Sequence, residues 1–564
     1  MRTGRNRLTT KRLLGLLWAC FIARGLFYCA LLPVWEGFDE PYHFSYLQYV
    51  VVHHAAPSRS DAVSREVEAS FHLMPLSWEQ RLHGLSSPIY TEEAYWALTE
   101  EKRQDVQWSL RNLPWQWAAQ PAARPLNYEA QQPPLYYFVF ALPLRLLWHT
   151  SLPAQVICLR MLGVLIASAL IPLGFVASRA FFPGDGMAIG TVAVIVCLPE
   201  LMINLARVAN ECLPLLIYTL LFLVLVAICG PALRPRLLAL AGVLLGLGLL
   251  SKAYFLTSVP VFLAISAWLI WRRAHERARI ILWSVAGLLL AFVIASPWYW
   301  RVYQLTGTLS GEQDDIAAAR IPWHMRFAAI AHVNWKSGAI SVLLSHIWFG
   351  GWSFLRFPNW IYLCAGVLVA LAAAGVAVFL LRGLGTKSHD TGYPLRGVLV
   401  AGFLYALFWL GLLYHVFVIY VATGVSASTG WYLYSLVVPE MLLLVVGLQT
   451  LTPSAFRRYV PVGLAVFFAT LDLYGMYSLL IPYYTGAIAH IPDTDVLRPL
   501  EISRLAALNP HLVVARLCAN KPVALCPVPM VLLQFGYLAS TVAAVWLSWF
   551  ALGQQPSSAA HQPR

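Results

Sequence analysis

The sequence predicts an all-α polytopic membrane protein, and three observations carry that prediction. Of 564 residues, 59% are hydrophobic and 12% charged, about half the charged share of an ordinary soluble domain. Apolar runs long enough to cross a bilayer as helices recur along the chain. Basic residues concentrate in the short turns between those runs, as cytoplasmic loops do. The mean hydropathy of +0.65 agrees. The 22 Trp and 26 Tyr suit aromatic belts at both interfaces. The net charge of +13 does not point to nucleic acid, because its distribution is that of membrane turns.

Spanning runs are expected at 13–34, 155–178, 187–206, 211–230, 237–252, 254–271, 280–298, 359–381, 397–421, 431–451, 459–481 and 528–552. Two further runs are short: 133–149, which opens on Pro133-Pro134, and 341–352. This gives a bundle of about 12–13 transmembrane helices. Residues 1–12 carry Arg2, Arg5, Arg7, Lys11 and Arg12 and no acid. Basic turns follow at Arg234/Arg236, 272–279, 382–396 and Arg457/Arg458. These segments are read as cytoplasmic, with 13–34 as an uncleaved first helix, because no small-residue cleavage site follows it. An odd number of crossings must then separate residue 35, outside, from Arg234, inside. Four runs lie between them, so the shortest, 133–149, is the candidate for a re-entrant or interfacial element. The alternative is that all four span and a later run does not.

The expected organisation is a cytoplasmic N-terminus with the first helix (1–34), an outer loop (35–132), a transmembrane core (133–300), a second outer loop (301–358), a C-terminal transmembrane region (359–552) with an outer loop at 482–528, and a tail (553–564). The first loop holds 13 of the 26 acidic residues against seven basic ones. Apolar residues at helical intervals, as in Glu92-Glu93-Ala94-Tyr95-Trp96-Ala97-Leu98, predict short helices lying along the membrane surface. The nine cysteines form no metal pattern. Cys518 and Cys526 share the last outer loop, where they are either bridged or free thiols.

The chemistry-bearing stretch is Phe38-Asp39-Glu40-Pro41-Tyr42-His43-Phe44, immediately after the first helix. Asp39 is placed as an N-cap and Pro41 as an early helical residue, so Asp39, Glu40 and His43 share a helix face. A charged cap alone would explain one acid; two acids and a histidine at a bilayer surface call for more. A carboxylate there can take the proton of an attacking hydroxyl. A leaving group would need positive charge close by.

These residues resemble the Asp-Glu motif that follows the first helix of protein O-mannosyltransferases and of related bacterial membrane proteins. Both belong to the GT-C superfamily of polyprenyl-phosphate-sugar-dependent glycosyltransferases, which includes the lipid A aminoarabinose transferases. Gln132-Pro133-Pro134-Leu135-Tyr136-Tyr137 resembles the segment closing that family's first outer loop. Arg207-Val208-Ala209-Asn210-Glu211, Lys252 and Pro297-Trp298-Tyr299-Trp300-Arg301 resemble further elements, in order over roughly 12–360. The chain departs from the family in having Pro41-Tyr42 between Glu40 and His43, Gln132 for a basic residue, Glu211 for Asp, and Trp431 where a Gly-Arg-Tyr arginine would stand in Thr429-Gly430-Trp431-Tyr432.

The resemblance implies a GT-C-like bundle in a bacterial inner membrane, with its active site extracytoplasmic. It implies an inverting glycosyltransferase taking a sugar from a polyprenyl-phosphate carrier to a glycan, lipid or protein acceptor. Asp39 would be the base, with Glu40 and His43 orienting substrate or holding a divalent metal (Mg or Mn). Arg207, Asn210, Glu211, Lys252 and Arg301 would serve the carrier phosphate, and Gln132, Pro133, Pro134 and Tyr136 the acceptor side. Lys252 is equally read as a snorkelling lysine, and Arg301 as a flanking anchor. Asp314-Asp315 is read as solvated loop charge. The competing class is a secondary transporter or lipid-linked glycan flippase, which would bind near the midplane.

Overall fold

The computed structural model describes the chain except residues 1, 83, 84, 86, 87, 183, 232, 233, 386–394, 500–508 and 554–564, and except the side chains of 2–8, 384 and 385. The tail, part of the 382–396 turn and part of the 482–528 loop therefore lie outside the described residues.

Among the described residues, nine helices are long and apolar enough to cross a membrane: Thr9–Leu31, Leu152–Phe181, Ala253–Arg272, Ala274–Thr306, Asn359–Gly383, Leu395–Thr423, Trp431–Leu451, Arg457–Tyr484 and Val528–Gly553. Asp185–Cys197 and Pro199–Leu205, bent by 62°, make a tenth if taken as one broken span. The break falls at Leu198, held extended (ψ 118°) before Pro199, as residues preceding proline are. The count is below the expected 12–13. The runs at 211–230 and 237–252 form helices of only 17 and 14 residues, Cys212–Ile228 and Arg236–Leu249, and the run at 341–352 falls at the end of helix Trp335–Ile347 and in the turn beyond it.

Two ends of the bundle can be told apart. At one, Thr10 donates to Asp185, Arg179 pairs with Asp185, and Arg273 and Arg396 donate to the carbonyls of Gly230 and Cys229. The other carries the loop that follows the first helix. Helix Leu135–Leu146 keeps to that second end. Leu135 N donates to Leu250 O at 3.0 Å, and His149, just beyond the helix, packs on Trp115 of the loop. Its 12 residues reach about 18 Å, short of a hydrocarbon core of about 30 Å.

Small residues let the helices approach closely. Helix Arg236–Leu249 lies on Arg277–Thr306 with Gly242 against Gly287, where a Cβ on Gly242 would come within 2.0 Å of the Gly287 carbonyl oxygen. The first helix packs on Val528–Gly553 and is tied by a buried polar set. Arg24 pairs with Asp472 at 3.0 Å and donates to Thr541, while Tyr537 (2.6 Å) and Tyr28 donate to Asp472.

The loop after the first helix folds into helices Glu40–His53, Arg65–Ser70, Trp78–Arg81, Glu92–Trp96 and Glu100–Arg111. Ser64, Ser77, Thr91 and Thr99 cap the last four, each accepting from the backbone N–H three residues on. A two-stranded antiparallel ladder, Ala62–Ser64 with Pro121–Leu126, joins its two ends; the sequence did not announce it. Cys518 and Cys526 are bridged, with Cα atoms 5.7 Å apart.

Candidate functional site

The segment leaving the first helix turns twice through left-handed backbone at non-glycine residues, Trp35 (φ 70°) and Asp39 (φ 57°). Such conformations cost free energy and persist only where the surroundings impose them. Here the imposing group is Glu40. It is fully buried and accepts from Arg160 Nε at 2.6 Å and from the second Arg160 nitrogen at 2.5 Å. It also accepts from Val208 N at 2.8 Å and Trp35 N at 3.1 Å. Arg160 in turn donates to the carbonyls of Leu32 and Pro33, both at 2.8 Å. Glu40 thus faces inward, with both carboxylate oxygens bonded to Arg160 and to backbone N–H groups.

Asp39 precedes helix Glu40–His53 as expected, with Pro41 in its first turn, but its side chain makes no capping bond. It is half-buried and accepts from the Tyr128 hydroxyl. Around it gather acids that the sequence did not single out. Glu129 is 6% exposed, and its Oε2 has no hydrogen-bond partner among the described residues. Burial, Asp39 and Glu312 hold its carboxyl well above the ordinary range. Glu312 accepts from the amides of Gln131 and Gln132, each at 3.3 Å. Burial pushes it up to about 7, against the pull of Lys252. Glu79 is raised by burial and by Asp39.

His43 is buried, with Nδ1 2.6 Å from the Tyr137 hydroxyl and Nε2 3.9 Å from Glu129. Burial and the charges of Lys252 and Arg207 keep it well below the usual histidine range, hence neutral at neutral pH. Of the two tyrosines in that segment, Tyr137 bonds His43 through its hydroxyl, and Tyr136 stacks on Phe140. Pro134 heads helix Leu135–Leu146, directly after Pro133. Asn210 donates to Gln132 Oε1 and to Ser251 O, both at 3.2 Å.

The basic residues divide. Arg207 donates to Phe38 O (2.6 Å), Asn204 and Glu211, and stacks on the Phe38 ring. Lys252 pairs with Glu211 at 2.9 Å, beside the rings of Tyr254 and Tyr432. Arg301 stands apart. It donates to Ala56 O at 2.8 Å and lines a groove with Arg59, Ser58, Gln131, Trp298 and Leu305. Trp431, at the departing position, stacks on Phe38 with centroids 4.1 Å apart, so that segment does reach the motif. Among the described residues no three of His, Cys, Asp or Glu gather closely enough to hold a metal ion.

Arg160, Glu129, Glu312 and Tyr128 are the residues sequence reasoning left unassigned. Glu312 lies two positions before the Asp314-Asp315 pair, and Glu129 three before Gln132, so proximity to flagged segments was the only available signal.

No family model and no curated protein sequence matches the chain. Among solved structures it is similar to ArnT from Cupriavidus metallidurans, in a structure described as bound to undecaprenyl phosphate. The two share 14% identity over 98% of this chain and 76% of that one, with a TM-score of 0.42.

Proposed function

We propose that this protein is an inverting membrane glycosyltransferase that moves a sugar from a polyprenyl-phosphate carrier to an acceptor on the extracytoplasmic face of a bacterial inner membrane. The observation that carries the reading is Asp39: a half-buried carboxylate, held in a left-handed turn by its fully engaged neighbour, beside a lysine and two raised acids. The acceptor hydroxyl attacks the anomeric carbon, its proton passes to Asp39, and the bond from that carbon to the carrier phosphate breaks, the phosphate oxygen keeping the electron pair. Positive charge is needed where that oxygen gains charge. Lys252 supplies it within the cluster, and the Arg59/Arg301 groove, edged by Leu305 and Trp298, suits a phosphate whose chain lies in lipid. Arg207, Asn210 and Glu211 act as positioning residues, and the Gln132-Pro133-Pro134 segment shapes the acceptor side.

The bent pair at Leu198 is the one feature that favours a transporter or flippase, since broken helices build such sites. Against it, the acid cluster sits at one end of the bundle. The test is Asp39→Asn in membranes supplied with polyprenyl-phosphate sugars and extracytoplasmic acceptors. Transfer falls by at least about 100-fold if Asp39 is the base. Unchanged transfer removes the assignment, and uptake that requires an ion gradient replaces the reading with transport.

A further inference from the structure

We propose that the segment 316–336 is a docking surface for anionic phospholipid headgroups at the site end of the bundle. Helix Trp323–Ala329 buries none of its residues, and it presents Trp323 (73% exposed), Phe327 (71%) and Met325 (54%) outward. Trp323 and Phe327, four apart, share one face of this helix, and an exposed apolar face on an extramembrane loop marks an interaction surface. An aromatic face edged by basic residues is the composition of helices that lie in the bilayer interface.

The level of this helix is fixed by its neighbours. Asn334 N donates to Ser426 Oγ, Ser341 bonds the backbone of Ser428, and Gly338 abuts Val416. These contacts pin the segment to the site-end terminus of helix Leu395–Thr423, where that span leaves the bilayer. Trp300 and Tyr303, exposed near the end of Ala274–Thr306, add belt aromatics at the same end.

The charge selects the partner. Arg320, Arg326 and Lys336, with His324 and His332, lie in a stretch that has no acid between Asp315 and Trp348. None of the three cations is in a salt bridge among the described residues, and Arg326 Nε is buried without a hydrogen-bond partner. This set stands at the opposite end from Arg179, Arg273 and Arg396, so it is not part of the charge bias that orients a polytopic chain. A surface that is apolar at its crest and cationic at its edge, with no acid within 316–336, fits a leaflet of anionic headgroups. Each such cation raises attraction to an anionic surface by about five-fold. The inference does not depend on the transferase reading.

The full chain is reconstituted in mixed phosphatidylcholine and phosphatidylglycerol bilayers bearing photoreactive acyl chains. Labelling is mapped to peptides, and lipids retained after detergent exchange are counted by mass spectrometry. The peptide containing Trp323–Ala329 is labelled, and phosphatidylglycerol is retained in preference to phosphatidylcholine. The triple variant Arg320→Gln/Arg326→Gln/Lys336→Gln keeps its melting temperature and loses most of that preference. Should the triple variant fail to fold, exposed Lys336→Gln alone lowers the preference by about five-fold. Absence of label in that peptide with either lipid, or a preference unchanged in these variants, overturns the proposal.

Discussion

Removing Arg160 tests whether Glu40 is a structural clamp or a substrate contact. Arg160→Met leaves the Glu40 carboxylate with only Val208 N and Trp35 N as donors, in a site with no solvent exposure. Breaking a buried ion pair from one side costs about 3–5 kcal/mol. The carbonyls of Leu32 and Pro33 also lose their donor, at about 1–3 kcal/mol each if water cannot reach them. The double variant Glu40→Met/Arg160→Met carries no buried charge but strands the same backbone groups. It is therefore destabilised as well, by less than the sum of the single variants, with a coupling of about 0.5–3 kcal/mol. The assay is unfolding of the purified protein in mixed micelles across the double-mutant cycle, with sugar transfer measured on the variants that remain folded. A loss below about 1 kcal/mol for Arg160→Met would refute the clamp. So would strict additivity in the cycle.

Three further outcomes follow from the same geometry. Gly430→Ala places a methyl 1.9 Å from the Val342 carbonyl oxygen and 2.6 Å from His346 N. Backbone cannot yield as a side chain does, so the variant loses at least about 1–3 kcal/mol, seen as reduced folded yield. Asp472→Asn leaves Arg24 without its counter-charge among helices of the bundle and costs about 3–5 kcal/mol, read as a lowered melting temperature. Glu312, raised by burial to about 7 from an ordinary 4.5, favours the folded state in its protonated form. Its contribution is whole below about pH 4.5 and is lost as pH rises through about 7. The melting temperature therefore falls across that window, and Glu312→Gln falls less; parallel curves for the two proteins would show that Glu312 is not among the groups responsible.

The membrane architecture was legible because hydropathy and basic turns act locally and sum along the chain. Helix length was less so. The apolar run at 237–252 reads as a span, yet its helix stops at Leu249, because Ser251 N and Lys252 N turn back onto the Gly248 carbonyl. The Asp39–His43 motif was visible as a motif, but not its division of labour. Glu40 and Arg160 lie 120 residues apart in sequence, and nothing at either position announces the other. Glu129 and Glu312 were invisible for a related reason. A raised acid is made by burial and by neighbouring charge, and both are properties of assembled loops rather than of spacing.

The Arg24–Asp472 tie has a consequence for biogenesis. Arg24 enters the bilayer with the first helix, while its partners Asp472 and Thr541 lie far downstream, the latter 517 residues further along. Until Asp472 has been made this guanidinium has no anion, so the tie between the first helix and Arg457–Tyr484 closes only after the helices between them exist. A chain that stops short of Arg457–Tyr484 bears an unneutralised cation in lipid, which is a signature a quality-control protease can read.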